Sequence, residues 1–204
     1  MTLYRSLLYR KMKMARKKFL IRLILALYIM AGVLNTESIR QEYATYYVLI
    51  FAIIGGLNYG VRNMDDDSGW KRYSYVLPIT PFQYALLDSV LLLANMALFG
   101  MFPLLIATIM PTEKGLPVPD ACAEYIMFSG IISLLHYLYC SQRDNQRIKE
   151  VILAIALVGG AAVFFGMDPE KVLNQTAWYM LHIGVGMIAL TINLIFRYYN
   201  EREK

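Results

Sequence analysis

Apolar residues in this chain come in blocks. Six predominantly apolar stretches, residues 19–34, 44–61, 82–110, 121–140, 151–167 and 176–196, are separated by short polar segments. A strand buries alternate residues and ends after about five or six. A surface helix shows an apolar stripe every three to four residues. These stretches do neither: they are apolar all round and approach the roughly 20 residues a helix needs to cross ~30 Å of hydrocarbon. The pattern predicts an all-α polytopic membrane protein, six transmembrane helices in a single transmembrane domain over residues 1–204. The third stretch is long and carries Pro103, so it is predicted to tilt, to kink, or to begin below the membrane.

Residues 1–18 follow a different rule. Leu3, Leu7, Leu8, Met12 and Ala15 share one helical face, with Arg5, Arg10, Lys13, Arg16 and Lys17 mostly elsewhere. That is the pattern of an amphipathic helix lying in the headgroup layer; the alternative is a solvated basic tail. A basic segment followed by apolar residues from Phe19 also resembles a signal peptide. Ala31-Gly32-Val33-Leu34-Asn35 is a weak cleavage site, and losing the first span would break the parity of every later loop. The first span is expected to be retained.

Charge gives the orientation. Of the 20 Lys and Arg residues, 17 fall in alternate polar segments: the N-terminal one, then those around Arg62, Lys71 and Arg72, around Arg143, Arg147 and Lys149, and around Arg197, Arg202 and Lys204. The intervening segments hold Arg40, Lys114 and Lys171. Basic residues cross a membrane poorly during insertion, so the rich segments and both termini are predicted to be cytoplasmic. The net charge of +5 could point to nucleic acid. The excess sits at helix ends and in the N-terminal segment, so the expected partner is the lipid bilayer, with no nucleic-acid role. Tyr43, Tyr46, Tyr47, Trp178 and Tyr179 fit an outer aromatic belt, and Tyr139, Tyr198 and Tyr199 an inner one.

Catalytic chemistry is sparse. The chain carries no G-x-x-x-x-G-K-[ST], no H-E-x-x-H and no G-x-S-x-G, and no Cys/His cluster at metal spacing. No metal and no cofactor are expected on this chain. Cys122 and Cys140 lie near opposite ends of one span, too far apart for a disulfide, which needs Cα atoms within roughly 7 Å. The pairs Gly56/Gly60 and Ala156/Gly160, and the run 159–162, offer bare helix surfaces for close packing, by default within the chain. Polar residues inside spans are costly and so worth naming: Asn58, Asp88, Asn95, Glu124, His136, His182 and Asn193. Of these, Asn58, Asp88, Asn95, His136 and His182 are candidates to line a pathway. They form no carboxylate ladder of the kind an ion-driven pump needs.

The most informative segment is the cytoplasmic one between the second and third spans, residues 64–83. Asp65, Asp66, Asp67 and Ser68 precede a short helical pattern in which Trp70, Tyr73 and Leu77 recur at i, i+3, i+7. Acids favour the positive end of a helix. Pro78 ends it, and Thr80-Pro81-Phe82-Gln83 reads as a capping box with proline at the first helical position of the next span. A stiff, aromatic-faced helix on the cytoplasmic side is either a docking element or an interfacial helix lying on lipid.

The acidic residues, then Ser68-Gly69-Trp70-Lys71-Arg72-Tyr73, then Leu77-Pro78-Ile79-Thr80-Pro81 before a long apolar helix, resemble the permease subunits of bacterial type-2 ATP-binding-cassette (ABC) exporters. The likeness is specific over residues 65–83; Phe82, Gln83 and Asp88 depart from the basic residue common there. It implies that residues 65–78, with Asp65, Asp66, Asp67, Gly69, Trp70, Lys71, Arg72, Tyr73 and Leu77, form the coupling helix that docks on an ABC ATPase subunit. It also implies that residues 1–18 are an elbow helix, and that a second permease copy or a paralogue completes the pathway. ATP and Mg would then be held by the partner. The implied function is export of an amphipathic peptide or lipophilic compound across the bacterial cytoplasmic membrane, without catalysis on this chain. The alternatives are a non-transporting scaffold or immunity protein, or a membrane-embedded enzyme.

Overall fold

The computed structural model describes residues 2–35, 44–57, 80–109, 117–141 and 175–202. Among the described residues every regular element is an α-helix: α1 (Thr2–Asn35), α2 (Ala44–Gly56), α3 (Pro81–Ile109), α4 (Val118–Ser141) and α5 (Gln175–Arg202). Four of them hold stretches long and apolar enough to cross a bilayer, Lys18–Asn35, Ala85–Ile109, Val118–Tyr139 and Thr176–Tyr199, while the apolar part of α2 is the shorter Thr45–Gly56. This is an all-helical membrane protein. The expected second span, 44–61, coincides with α2 as far as Gly56; residues 58–61, the expected fifth span at 151–167 and the 65–78 segment lie outside the described residues.

The expected division at residue 18 is not observed. The basic segment and the first span form one 34-residue helix, about 51 Å long. The sequence around the expected junction, Met14-Ala15-Arg16-Lys17-Lys18-Phe19-Leu20, contains no glycine, proline or capping residue. Strong helix formers on both sides carry the hydrogen bonding straight through. The third span is also continuous. Pro103 sits inside α3 with its ring fully buried, its missing N–H tolerated where neighbouring helices enclose it.

The most extensive helix contacts are between α4 and α5, then α2 with α4 and α2 with α3. The core is aromatic and aliphatic: Val48, Phe51 and Ala52 of α2, Phe99, Phe102 and Ile106 of α3, and Ala121, Tyr125 and Phe128 of α4, with Ala26 of α1 against them. Phe51 stacks on Phe102 with centroids 5.4 Å apart. Tyr47, expected in the outer belt, is instead buried in this core, while its neighbour Tyr46 is exposed. Apolar attraction cannot hold helices together in lipid, so close packing and interhelical hydrogen bonds must. Tyr125 supplies both: its hydroxyl donates to the Met96 carbonyl at 2.7 Å, and its ring lies against the bare surface of Gly100.

Contact order gives the helix directions. Along α4 and α5, Gly130 meets Gly186, Ser133 meets Asn193 and Tyr137 meets Phe196, so the two run parallel. Phe51 meets Phe102 and Gly55 meets Asn95, so α2 and α3 run antiparallel. Because α4 and α5 are parallel, α4 ends at the end of the bundle opposite to the one where α5 begins.

Candidate functional site

Among the described residues, two places gather several polar contacts between separate helices. The first is the C-terminal end of α2, where the chain leaves towards residues 58–79. The last carbonyls of a helix have no partner within it. Here α1 and α3 supply partners. Arg22 Nη1 donates to Leu57 O at 2.7 Å and lies 3.4 Å from Ile54 O. Asn95 Nδ2 donates to Gly55 O at 2.7 Å. Arg22 also sets a positive charge at the negative end of the α2 dipole. The close approach of α2 to α4 makes room for this geometry: a Cβ on Gly56 would stand 2.8 Å from the Ser129 carbonyl.

Arg22 had the appearance of an interfacial cation in the sequence. It is instead level with Asn95 and lies four residues, about 6 Å, inside the apolar stretch of α1 that begins at Lys18. A cation at such depth is costly unless it is hydrogen-bonded, and the α2 carbonyls meet that need.

The return of the segment is anchored as expected. Thr80 N–H donates to Gln83 Oε1 at 3.0 Å, and Gln83 N–H donates to Thr80 Oγ1 at 3.3 Å, the reciprocal pair of a capping box. Phe82, one turn away, meets Tyr198 of α5 edge-on at 6.2 Å between centroids.

The second place lies between α3, α4 and α5. Arg197 is buried, with its Nε donating to Asn193 Oδ1 at 2.7 Å and its Nη1 4.0 Å from Asp88 Oδ2. Its guanidinium sits 5.0 Å from the centre of the Tyr137 ring, an orientation that favours a cation over the aromatic face. Asn193 Nδ2 donates to Ser133 Oγ at 3.2 Å, which in turn donates to Gly130 O at 2.8 Å. The Tyr137 hydroxyl donates to Phe196 O at 3.2 Å. The network thus ties three helices through an acid, a base, an amide and two hydroxyls. The sequence counted Arg197 among cytoplasmic cations and did not pair it with Asp88. The available signal was register: Asn193 and Arg197 are four apart, so both lie on one face of α5.

The remaining candidates lie apart from one another. His182 is buried near the start of α5, its ring edge-on to Trp178 at 3.8 Å between centroids, and its Nδ1 is 2.9 Å from Trp178 O. A carbonyl only accepts, so Nδ1 carries the proton. His136 is partly buried on α4, beside Tyr137. Glu124 accepts from Thr45 Oγ1 at 3.4 Å through Oε1, and its Oε2 is buried without a hydrogen-bond partner among the described residues. Asp65, Asp66, Asp67, Gly69, Trp70, Lys71, Arg72, Tyr73, Leu77 and Asn58 lie outside the described residues. Cys122 is a free thiol. No group of three or more potential metal ligands occurs among the described residues. Comparison with protein-family models, with curated proteins and with solved structures finds no match to this chain.

Proposed function

We propose that this chain is the membrane-spanning subunit of an ATP-binding-cassette exporter, which moves an amphipathic peptide or lipophilic compound outward with ATP hydrolysed by a separate subunit. One observation carries the reading: both ends of the segment that resembles a coupling helix are tied into the bundle. The α2 end is held by Arg22 and Asn95; the α3 start is capped by the Thr80–Gln83 box and held to α5 through Phe82 and Tyr198. A docking element transmits force only if its ends are anchored to the helices that must move. An interfacial helix lying on lipid has no such requirement.

The full topology belongs to the same proposal. The parallel course of α4 and α5 supports a fifth crossing between them, for which residues 151–167 are the apolar stretch in the sequence. Six crossings then put both termini on the basic, cytoplasmic side. The basic half of α1 takes the role the family gives to an elbow helix, as a continuation of the first span. A second copy or a paralogue would complete the pathway.

The test is purification of the tagged chain from its native membrane in mild detergent, followed by identification of bound ATPase. Aromatic anchors carry much of an interface's binding energy, so Trp70→Ala is expected to weaken ATPase binding by about 2 kcal/mol, roughly thirtyfold. Lys71→Ala and Arg72→Ala are expected to alter mainly its salt dependence. A chain that brings down no ATPase, or a Trp70→Ala variant that binds it as tightly as wild type, would count against the proposal.

A further inference from the structure

The end of α2 shows a division of labour that the proposed function does not by itself require. A helix C-terminus is ordinarily finished by its own chain, through a glycine turn or water. Here two side chains from different helices reach it from either side: Arg22 from α1 onto Leu57 O and Ile54 O, and Asn95 from α3 onto Gly55 O. Neither side chain has a local reason to be there. Arg22 lies deeper than the basic cluster that precedes it, and Asn95 is a polar residue in the middle of an apolar helix. The α2 carbonyls offset part of both costs while the α2 end stays where it is.

The clamp also accounts for how α1 is held. Its contacts in the bundle are with α2 and α3, and they are few. Many of its apolar side chains, including Ile21, Ile24 and Tyr28, are exposed. Ala26 is buried, the Phe19 ring lies 5.9 Å from that of Phe99, and Leu23, Ile29, Met30 and Val33 pack against the core. Arg22 adds a directional link between α1 and the end of α2.

We infer that Arg22 and Asn95 are positioning residues that carry displacement of the α2 end into α1 and α3. This rests on the exporter reading, in which the 58–79 segment is moved by a partner ATPase. A push or pull delivered at residue 57 meets three carbonyls that are bonded to two other helices. The α2 end cannot shift without either moving those helices or breaking hydrogen bonds inside the membrane, where no water replaces them. The cheaper course is to move α1 and α3 together with α2.

The test uses the complex of the full chain with its co-purified ATPase, in a C122A/C140A background. Spin labels are placed at Tyr28 of α1 and Met187 of α5, both exposed. Distance distributions are compared without nucleotide and after trapping with ATP and vanadate. The parent complex is expected to shift its distribution on trapping. In R22Q/N95L the shift, read on the complex that retains ATPase, is expected to fall to half or less. Arg22→Lys is expected to recover part of it, because an ammonium can still donate to Leu57 O. A full shift in R22Q/N95L with ATPase bound, or no shift in the parent complex, would overturn the clamp and leave the exporter reading standing. Failure of any ATPase to co-purify with the parent chain would overturn both.

Discussion

At the scale of single residues, the informative feature is where the cations are. In the sequence, Arg22 and Arg197 belong to basic clusters at span ends, and such residues ordinarily reach the headgroups. In the structure each has turned inward, to helix carbonyls in one case and to Asp88, Asn193 and the Tyr137 ring in the other. Hydropathy could not show this, because it averages over a window and is blind to which face of a helix a charge occupies. The polar residues Asp88, Asn95 and Asn193 were legible as costly; their partners were not, since pairing is decided by how helices pack. The Asp88–Arg197 pair gives a sharp expectation. Removing one member of a largely buried pair leaves the other's charge less well compensated, so Asp88→Ala is expected to destabilise by about 3 kcal/mol. The double variant D88A/R197A is expected to lose less than the sum of the two single losses, because no uncompensated charge remains. Thermal unfolding of the four proteins in detergent measures the coupling; strict additivity would show that the 4.0 Å separation is too long to matter.

At the scale of elements, the sequence was most reliable where a local rule operates. The capping box at Thr80–Gln83 forms as its residue types require, and α3 starts at Pro81, the position that tolerates a missing N–H. The expected break near residue 18 failed because a change in composition is not a change in backbone: basic and apolar residues on either side are all good helix formers. Close packing lay between these cases. Gly56 was recognised as a bare surface, but Gly130 and Gly186, which bring α4 and α5 together, were not, because neither has a small partner four residues away to form a visible motif. A Cβ on Gly130 would stand 2.5 Å from the Gly186 carbonyl oxygen, and one on Gly186 would stand 2.5 Å from that of Ile126. Backbone cannot swing aside as a side chain can. Gly130→Ala and Gly186→Ala are therefore each expected to cost about 2 kcal/mol or more by forcing the helices apart. Gly32 and Gly184 face open space, so alanine there is expected to stabilise by about 0.5–1 kcal/mol through helix propensity. The same unfolding assay ranks all four, and destabilisation at Gly184 equal to that at Gly186 would show that propensity, not contact, sets the order.

At the scale of the whole molecule, two independent arguments bear on topology. One is the alternation of basic segments, which comes from insertion energetics and requires no structure. The other is the parallel packing of α4 and α5, which comes from side-chain contacts and takes no account of charge. In the proposed six-span topology both place the end of α4 on the basic side and the start of α5 on the opposite one. The antiparallel pairing of α2 with α3 puts Leu57 and Thr80 at one end of the bundle, and α4 finishes at that end too, since Thr45 meets Glu124 and Gly56 meets Ser129 along α2 and α4. Single cysteines in a C122A/C140A background separate the faces. Those at Thr36, Thr112 and Glu170 are expected to react with an impermeant maleimide on intact cells. Those at Ser68, Gln146 and Glu201 are expected to react only after permeabilisation. The decisive comparison is Gln146 with Glu170: labelling of both from one side would mean that the chain does not cross between α4 and α5, and the parallel pair could not then span a bilayer. Labelling of Ser68 on intact cells would leave the contacts intact but put the Trp70 segment outside, beyond the reach of any cytoplasmic ATPase.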